Sequence, residues 1–153
     1  MNLYNAGRIA TKTFPAATAE NVTYTYDAFV SGTNYGKGRL TGMTHDGGAI
    51  ARTYDARGNV VSDVRTITGA GAKTVAYQYT AADLVSQITY PSGRIVIYAR
   101  DTTGRISSVT TKQTSASAAV NVATAITYQP VSNLIKSLTY GNALTETDVH
   151  TLD

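Results

Sequence analysis

The sequence predicts an all-β protein built as an array of antiparallel β-hairpins. A turn phrase, Tyr-Asp-x-x-Gly followed by Arg or Asn and then an aliphatic residue, recurs along the 153 residues at intervals of about 20 to 30 residues, as in repeat architectures. The segments between the turns alternate apolar and hydroxyl residues with the period of 2 that indicates half-buried strands. Helix signals are nearly absent, since Thr, Val and Asn surround the one Ala-rich stretch, residues 116–119.

The clearest copy of the turn is Tyr54-Asp55-Ala56-Arg57-Gly58-Asn59. Asp in this position accepts hydrogen bonds from backbone N–H groups two or three residues later, and Gly tolerates left-handed backbone. An Arg that follows the Gly lies within reach of a neighbouring Tyr ring or of the Asp of the next hairpin. Stacked hairpins therefore repeat Tyr, Asp and Arg as a ladder of individually weak contacts.

The other copies keep this phrase to different degrees. The two best preserved join Tyr26-Asp27 to Gly38-Arg39 across a long insertion, and Arg100-Asp101 to Gly104-Arg105 at the normal spacing. Tyr79 is followed by Thr and Asp where the pattern has Asp and Gly, and the copy at residues 4–9 is one residue short.

Taken in order, the strands are expected at residues 22–26, 39–41, 51–54, 60–68, 75–79, 84–90, 95–98, 126–129 and 138–142. Residues 28–37, which include three turn-forming Gly and Asn residues, are predicted to form an extended loop. Residues 95–98 are apolar on both faces and are predicted to be the most buried strand. Residues 110–124 are predicted to be the least structured.

Several phrases together resemble the YD-repeat core of rearrangement-hotspot (Rhs) proteins. Besides the Tyr-Asp turns, they are Asn34-Tyr35-Gly36-Lys37-Gly38-Arg39-Leu40-Thr41, Ile88-Thr89-Tyr90-Pro91-Ser92-Gly93-Arg94 and Leu138-Thr139-Tyr140-Gly141-Asn142. The resemblance implies hairpins that spiral into a hollow shell, as in Rhs proteins, toxin-complex C components and teneurins. In the bacterial members the shell encloses a toxic polypeptide. The Asp-Pro-x-Gly self-cleavage phrase of those members has no match here, so the resemblance implies shell wall without cleavage or toxicity.

The length indicates a partial wall rather than a closed cage. Residues 1–153 are interpreted as a single array of about five repeats that is open at both ends, and we expect it to be a fragment of a longer shell. The chain opens inside a repeat, and residues 150–153 resemble the start of another copy. Open strand edges predict pairing with the rest of the shell or with further copies of the chain.

Composition limits the other functions. There is no Cys, so disulfides and thiol chemistry are excluded. Charged residues make up 15%, and the net charge of +3 is spread along the chain, which disfavours nucleic-acid binding. No apolar run has the length of a signal peptide or a membrane span. The protein therefore either stays inside the cell or leaves it as part of something larger. The resemblance to Rhs shells implies the second, a secreted or cell-surface location within a larger protein.

No residue set indicates an enzyme, a metal site or a cofactor. Asp55 and Asp101 resemble a glycosidase carboxylate pair, but both occupy the same place in the repeat and are better explained as turn residues. His45 and His150 lack metal-ligand spacing, and His45-Asp46 with Ser62 or Ser107 lacks a nucleophile elbow. No cofactor is expected.

The sequence is compatible with two functions and with a third interpretation in which the chain has no function of its own. The favoured function is a non-catalytic segment of a shell that encapsulates a toxin or another polypeptide cargo. The alternative is a surface carbohydrate-binding or adhesion module, in which Tyr24, Tyr77, Tyr79 and Tyr98 stack on glycan rings. The same rings serve equally as core, and the strongest stacking residue, Trp, is absent. A decayed remnant without a function of its own is a third interpretation, consistent with the altered repeats.

Overall fold

A computed structural model describes residues 2–5, 7–130 and 132–147, the first four by backbone alone. These residues form antiparallel strands and one 3₁₀ turn, Thr18–Glu20, so the all-β prediction is confirmed. The strands are β1 (Asn2–Asn5), β2 (Arg8–Lys12), β3 (Val22–Tyr26), β4 (Phe29–Val30), β5 (Asn34–Tyr35), β6 (Leu40–His45), β7 (Gly48–Tyr54), β8 (Val60–Ile67), β9 (Gly71–Tyr79), β10 (Val85–Thr89), β11 (Ile95–Arg100), β12 (Ile106–Lys112), β13 (Val120–Tyr128), β14 (Ile135–Tyr140) and β15 (Thr145–Thr147).

The chain divides into two compact units, residues 1–77 and 78–153. In the first unit, β1, β2, β3, β6, β7, β8 and β9 follow one another across a sheet, each antiparallel to the next. A separate two-stranded ribbon, β4 paired with β5, is inserted between β3 and β6. In the second unit, β10 through β15 form an antiparallel meander in chain order.

The Tyr-Asp turns of the first unit lie at one end of its sheet because the strands reverse direction one after another. The connections 27–39 and 55–59 are at this end, and the connections 45–48 and 68–71 are at the other. Each Tyr-Asp hairpin also carries a bulge, because its outgoing strand has one extra residue opposite the end of the incoming strand. The extra residues are Thr41, Val61 and, in the second unit, Ser107.

Cross-strand pairing in the first unit divides the side chains between two faces, since directly paired residues of an antiparallel sheet point the same way. The face that we call the hydroxyl face carries small, uncharged residues: Thr11, Thr23, Thr25, Gly42, Thr44, Ala49, Ala51, Thr53, Ser62, Val64, Thr66, Ala72, Thr74 and Ala76. The opposite face, the basic face, carries Lys12, Val22, Tyr24, Met43, His45, Gly48, Ile50, Arg52, Asp63, Arg65, Ile67, Gly71, Lys73 and Val75.

Little of the described chain is fully buried. Tyr54 and Ile95 are the hydrophobic residues with at most 9% of their surface exposed, and Asn34 and Thr41 are the polar ones. Within β11, Ile95 is buried but Val96, Ile97 and Tyr98 are only half-buried, so the strand predicted to be the most buried is buried at one end. Most apolar side chains are half-buried because each unit's main sheet is a single layer.

Two segments are more ordered than the sequence predicts. The insertion at residues 28–37, predicted to be a loop, contains the β4–β5 ribbon, closed by a hydrogen bond from Thr33 N to Val30 O. The stretch at residues 110–124 consists largely of the ends of β12 and β13, so the connection is only residues 113–119. Residues 110–124 form more strand than predicted because Thr and Ser occur in both strands and loops, so their presence does not distinguish the two. The expected repeat start at residues 150–153 lies outside the described residues.

Candidate functional site

The turn at Asp55 is held by both its backbone and its carboxylate. Asp55 N donates to Asn59 O at 2.9 Å, and Gly58 N donates to Asp55 O at 3.0 Å. The Asp55 carboxylate accepts the N–H groups of Arg57 and Asn59, both at 2.9 Å, and the Asn59 side chain at 3.0 Å. Gly58 has a φ of +93°, which L residues rarely adopt. Desolvation acts to raise the pKa of Asp55, but the hydrogen bonds from Asn59 and Arg57 outweigh it and the pKa is lowered.

The turn at Asp101 repeats this geometry with different neighbours. Its Oδ1 accepts the N–H groups of Thr103 and Arg105, both at 2.9 Å, and its Oδ2 accepts Arg105 Nε at 2.9 Å. Gly104 takes the left-handed position with a φ of +88°. The hydrogen bond from the Thr103 hydroxyl at 2.7 Å, followed by those from Arg105, lowers the pKa of Asp101 to about 2. The carboxylate is therefore ionised across the physiological range.

The altered copy after Tyr79 has the same turn. Thr80 Oγ1 accepts the N–H groups of Ala82 and Leu84, both at 3.2 Å, which are the bonds that an Asp carboxylate makes elsewhere. Asp83 occupies the left-handed position with a φ of +59°, where the other copies have Gly. A hydroxyl therefore replaces the carboxylate without a change of backbone.

The copy at Asp27 encloses the β4–β5 ribbon. Asp27 N donates to Arg39 O at 3.1 Å across the base of the insertion, and Gly38 N donates to Asp27 Oδ1 at 2.6 Å. Arg8, from the preceding hairpin, forms an ion pair with the Asp27 carboxylate. The hydrogen bond from Arg8, with that from Gly38, lowers the pKa of Asp27. Inside the insertion, buried Asn34 accepts a hydrogen bond from Tyr54 N at 3.1 Å.

Successive hairpins are joined by a recurring arrangement that we call the tyrosine–arginine contact. A Tyr hydroxyl donates to a backbone carbonyl of the preceding hairpin, and the Arg just before that carbonyl lies over the same Tyr ring. The three instances are Tyr26 with Ile9 O at 2.9 Å and Arg8 at 4.5 Å, Tyr54 with Leu40 O at 2.6 Å and Arg39 at 5.6 Å, and Tyr128 with Ile106 O at 2.9 Å and Arg105 at 4.5 Å.

A variant of this contact occurs where the Tyr is replaced. Arg100 stands in the Tyr position, and its Nη2 donates to Val85 O at 2.8 Å, the carbonyl that corresponds to those of Ile9, Leu40 and Ile106. Its Nη1 donates to Gly104 O at 2.8 Å within its own turn. The carbonyl of the preceding hairpin is thus bonded by a guanidinium instead of a phenol.

None of the Tyr residues suggested for glycan stacking is fully exposed. Tyr24, Tyr77, Tyr79 and Tyr98 are each half-buried. Tyr24 lies on the basic face of the first unit, next to Met43. Tyr98 lines a shallow groove of the second unit together with Val85, Ile88, Arg100 and Ile106.

Several residues that form the turns or the tyrosine–arginine contact are not among the site residues predicted from the sequence. Arg8, Thr80 and Tyr128 make the same contacts as the residues that were selected, but each stands in a copy whose phrase is altered. A signal existed, because Arg followed by Ile or Leu precedes the next repeat's Tyr at residues 8, 39 and 105. Looking for that pair together with a Tyr 14 to 22 residues later would have found the contact.

Neither a metal site nor a membrane helix emerges from the described part of the chain. Within residues 7–130 and 132–147, no group of three His, Asp or Glu side chains could bind a metal ion. A search of the described residues for a helix of sufficient length and hydropathy to cross a bilayer found none.

The fold and contacts define a class of protein in which stacked β-hairpins are joined in series by repeated side-chain contacts. The sequence model of the family described as "Teneurin YD-shell" matches residues 2–147, which is nearly the whole chain. The chain belongs to this family. The expected YD-repeat identity is therefore confirmed. None of the curated proteins matches the sequence significantly.

Solved structures of a toxin complex share the fold at low sequence identity. The crystal structure of TcdB2-TccC3 superposes with a TM-score of 0.68 at 12% identity over 92% of this chain. The structures of TcdB2-TccC3-Cdc42 and of TcdB2-TccC3 without its hypervariable C-terminal region give TM-scores of 0.67 and 0.66, at 12% and 13% identity over 92% and 95% of the chain. The chain spans only 9% of the length of each of these proteins.

Proposed function

We propose that the chain is a non-catalytic segment of the wall of a YD-repeat shell, which encloses a toxin or another polypeptide cargo. The tyrosine–arginine contact carries this proposal. Within each unit it joins hairpins to the hairpin before them in the chain, at three places in the described part of the chain, which is how a wall of stacked hairpins is held together. The proposed location is secreted or cell-surface, within a larger protein.

The exposed apolar surface near the end of the second unit supports a role within a larger assembly. Val120, Val122 and Leu144 expose 61%, 47% and 64% of their surfaces, and they meet at the turn after Tyr140, where Gly141 N donates to Val122 O and Tyr140 N donates to Leu144 O. Apolar side chains this exposed and this close in the fold are typical of surfaces that other protein covers. The strand β15 pairs only with β14 among the described strands, which leaves its other edge open. The proposed occupant is further shell wall.

The use of the carboxylates supports a non-catalytic role. Asp55 and Asp101 each bind backbone N–H groups of their own turn, and the two sites share one geometry. A catalytic carboxylate needs free oxygen atoms directed at a substrate, whereas these oxygens are occupied by the turn. Their repetition is explained by hairpin geometry alone.

The experiment that tests this proposal is the absolute molar mass of the protein, measured by size exclusion with light scattering across a dilution series. A wall segment with open strand edges is expected to form larger species as concentration rises. A stable monomer at every concentration would contradict the proposal and indicate an autonomous module. Amide exchange of β15 in the larger species identifies the edge, because a paired edge strand exchanges more slowly.

A carbohydrate-binding role is the second proposal, and the groove beside Tyr98 is the observation that supports it. The amphipathic ring of a Tyr that lines an open groove can pack on the apolar face of a sugar ring. Binding to a glycan array that is lost in Tyr98→Ala, with an unchanged circular dichroism spectrum, would favour this role. Absence of binding by the unmodified protein would reject it.

A further inference from the structure

The charged strand residues of the first unit are gathered on one face of its sheet. Apart from Arg8, which pairs with Asp27, they are Lys12, Arg52, Asp63, Arg65 and Lys73, and all five belong to the basic face, whereas the hydroxyl face carries none. The sequence spreads these charges over some sixty positions, so only the strand register brings them together. The face carries one carboxylate and four cations, of which Arg52, Arg65 and Lys73 lie on Asp63's own strand or a neighbouring one.

That carboxylate neutralises only part of the charge. Asp63 accepts Arg52 Nε at 2.8 Å through one oxygen and Arg65 Nε at 3.2 Å through the other. Lys73 is paired directly across from Arg65, and it has no ion-pair or hydrogen-bond partner in the part of the chain that the structure describes. Like charges directly opposite each other on a sheet repel. The side chain of Arg65 is 64% exposed, so an anion from solvent can reach this pair.

An apolar strip continues from the cation pair across the sheet. Register places Tyr24, Met43 and Ile50 in the same cross-strand row as Arg65 and Lys73. Five strands about 4.8 Å apart make this row about 19 Å long. An extended peptide of about six residues has the same length. Tyr, Met and Arg are also the residue types enriched where proteins bind proteins.

We propose that the basic face of the first unit binds an extended acidic segment of a partner polypeptide. Two carboxylates of the segment lie at Arg65 and Lys73, and its apolar side chains pack on Tyr24, Met43 and Ile50. This proposal rests on the proposed function, because a wall that encloses a polypeptide cargo supplies a polypeptide for this face to bind. The apolar half of the row favours a polypeptide over nucleic acid, whose binding uses more cations and fewer aliphatic contacts.

The experiment uses the full chain and a fluorescein-labelled copolymer of glutamate and tyrosine, with binding followed by fluorescence anisotropy. We expect saturable binding that weakens as salt is added, and no binding of a lysine and tyrosine copolymer. The double substitution Arg65→Gln with Lys73→Gln is expected to weaken binding by up to about tenfold, since exposed charge pairs are individually weak. A strictly apolar interaction would be insensitive both to added salt and to the double substitution.

The matched control is Lys112→Gln with Lys136→Gln, which removes the same formal charge from the second unit. Binding that is unchanged by this control supports the basic face as the site. An equal loss in both double variants, or no binding of the glutamate copolymer, would overturn the proposal. Tighter binding of a heparin fragment than of the copolymer would overturn it in favour of sulfated glycans. None of these outcomes depends on the light-scattering result, so the two proposals fail separately.

Discussion

At the scale of single residues, the Tyr hydroxyl is the group that joins one hairpin to another. Tyr54 is only 7% exposed, and its hydroxyl donates to Leu40 O at 2.6 Å. Replacement by Phe keeps the ring under Arg39 but leaves the Leu40 carbonyl without that donor. We expect Tyr54→Phe to lower the free energy of unfolding by about 1 kcal/mol, measured by urea denaturation.

The control for this substitution is Tyr90→Phe. Tyr90 is 40% exposed, and its hydroxyl has no hydrogen-bond partner in residues 7–130 and 132–147. The urea midpoint of this variant should match that of the unmodified protein. Equal destabilisation by both substitutions would show that the hydroxyl of Tyr54 has no special role.

The turn carboxylates predict how stability depends on pH. The folded state lowers the pKa of Asp101 from 3.8 to about 2, so its contribution to stability is present above about pH 4 and is lost as the pH falls towards 2. Asp27 and Asp55 have pKa values shifted in the same direction. We expect the urea midpoint to fall over this acidic range, and less steeply in Asp101→Asn. An NMR titration that places Asp101 near 3.8 would contradict the prediction.

At the scale of elements, one turn geometry accepts several sets of side chains. In the short turns that begin with Asp55, Thr80 and Asp101, the side chain of that first residue bonds the closing N–H group, as Thr80 does to Leu84. In the turn after Tyr140 the closing N–H group of Leu144 is instead bonded by Asn142 at 3.2 Å, from within the turn. Backbone bonds from Tyr140 N to Leu144 O and from Ala143 N to Tyr140 O close this turn as they close the others.

At the left-handed position of these turns, replacing Gly by Ala should lower the free energy of unfolding, and replacing Ala by Gly should raise it. Gly104 has a φ of +88°, and an added Cβ would lie 3.0 Å from the Leu84 side chain, so Gly104→Ala should cost about 1 kcal/mol. Ala143 has a φ of +67° at an exposed turn, so Ala143→Gly should stabilise by about 0.5 kcal/mol after the entropy of Gly is subtracted. Urea denaturation of both variants measures the two signs.

A neutral reference is available at a position without this constraint. Ala56 lies in the exposed part of the Asp55 turn and is absent from the positions with positive φ, so Ala56→Gly should destabilise slightly through backbone entropy alone. Stabilisation by Gly at both Ala143 and Ala56 would mean that the left-handed backbone is not the cause.

The turns were predictable from sequence to the extent that their chemistry is local. Asp55 and Gly58 predict their turn, because the hydrogen bonds to the carboxylate and the positive φ both arise within five residues. The same turn at Thr80 cannot be recognised from the phrase, because only the geometry shows that the Thr hydroxyl takes the place of the carboxylate. The β4–β5 ribbon was missed because two-residue strands are too short for a periodicity to show.

At the scale of the whole molecule, few side chains of the described residues are fully buried in either unit. Two hydrophobic residues with at most 9% exposure are few for a chain of this length. Unfolding such a structure exposes less new surface than unfolding a compact domain. We therefore expect a urea m-value below that of compact domains of the same length, measured at the lowest workable protein concentration. An m-value typical of a compact 153-residue domain would indicate a hidden second layer.

Charge placement could not be predicted at this scale. The net charge of +3 is dispersed along the sequence, and nothing local distinguishes Arg65 and Lys73 from cations elsewhere. Their pairing depends on the register between β8 and β9, where a shift of one residue would move every side chain to the other face. The basic face is thus a property of the sheet.

The position of the Tyr-Asp turns at one end of the first unit's sheet bears on how the gene can change. Adding or deleting a single strand would reverse every strand that follows, and the next Tyr hydroxyl would then lie at the end opposite its carbonyl. Two strands added or removed together leave the contacts intact. An insertion or deletion that spans a whole hairpin therefore preserves the join, whereas one that spans a single strand destroys it.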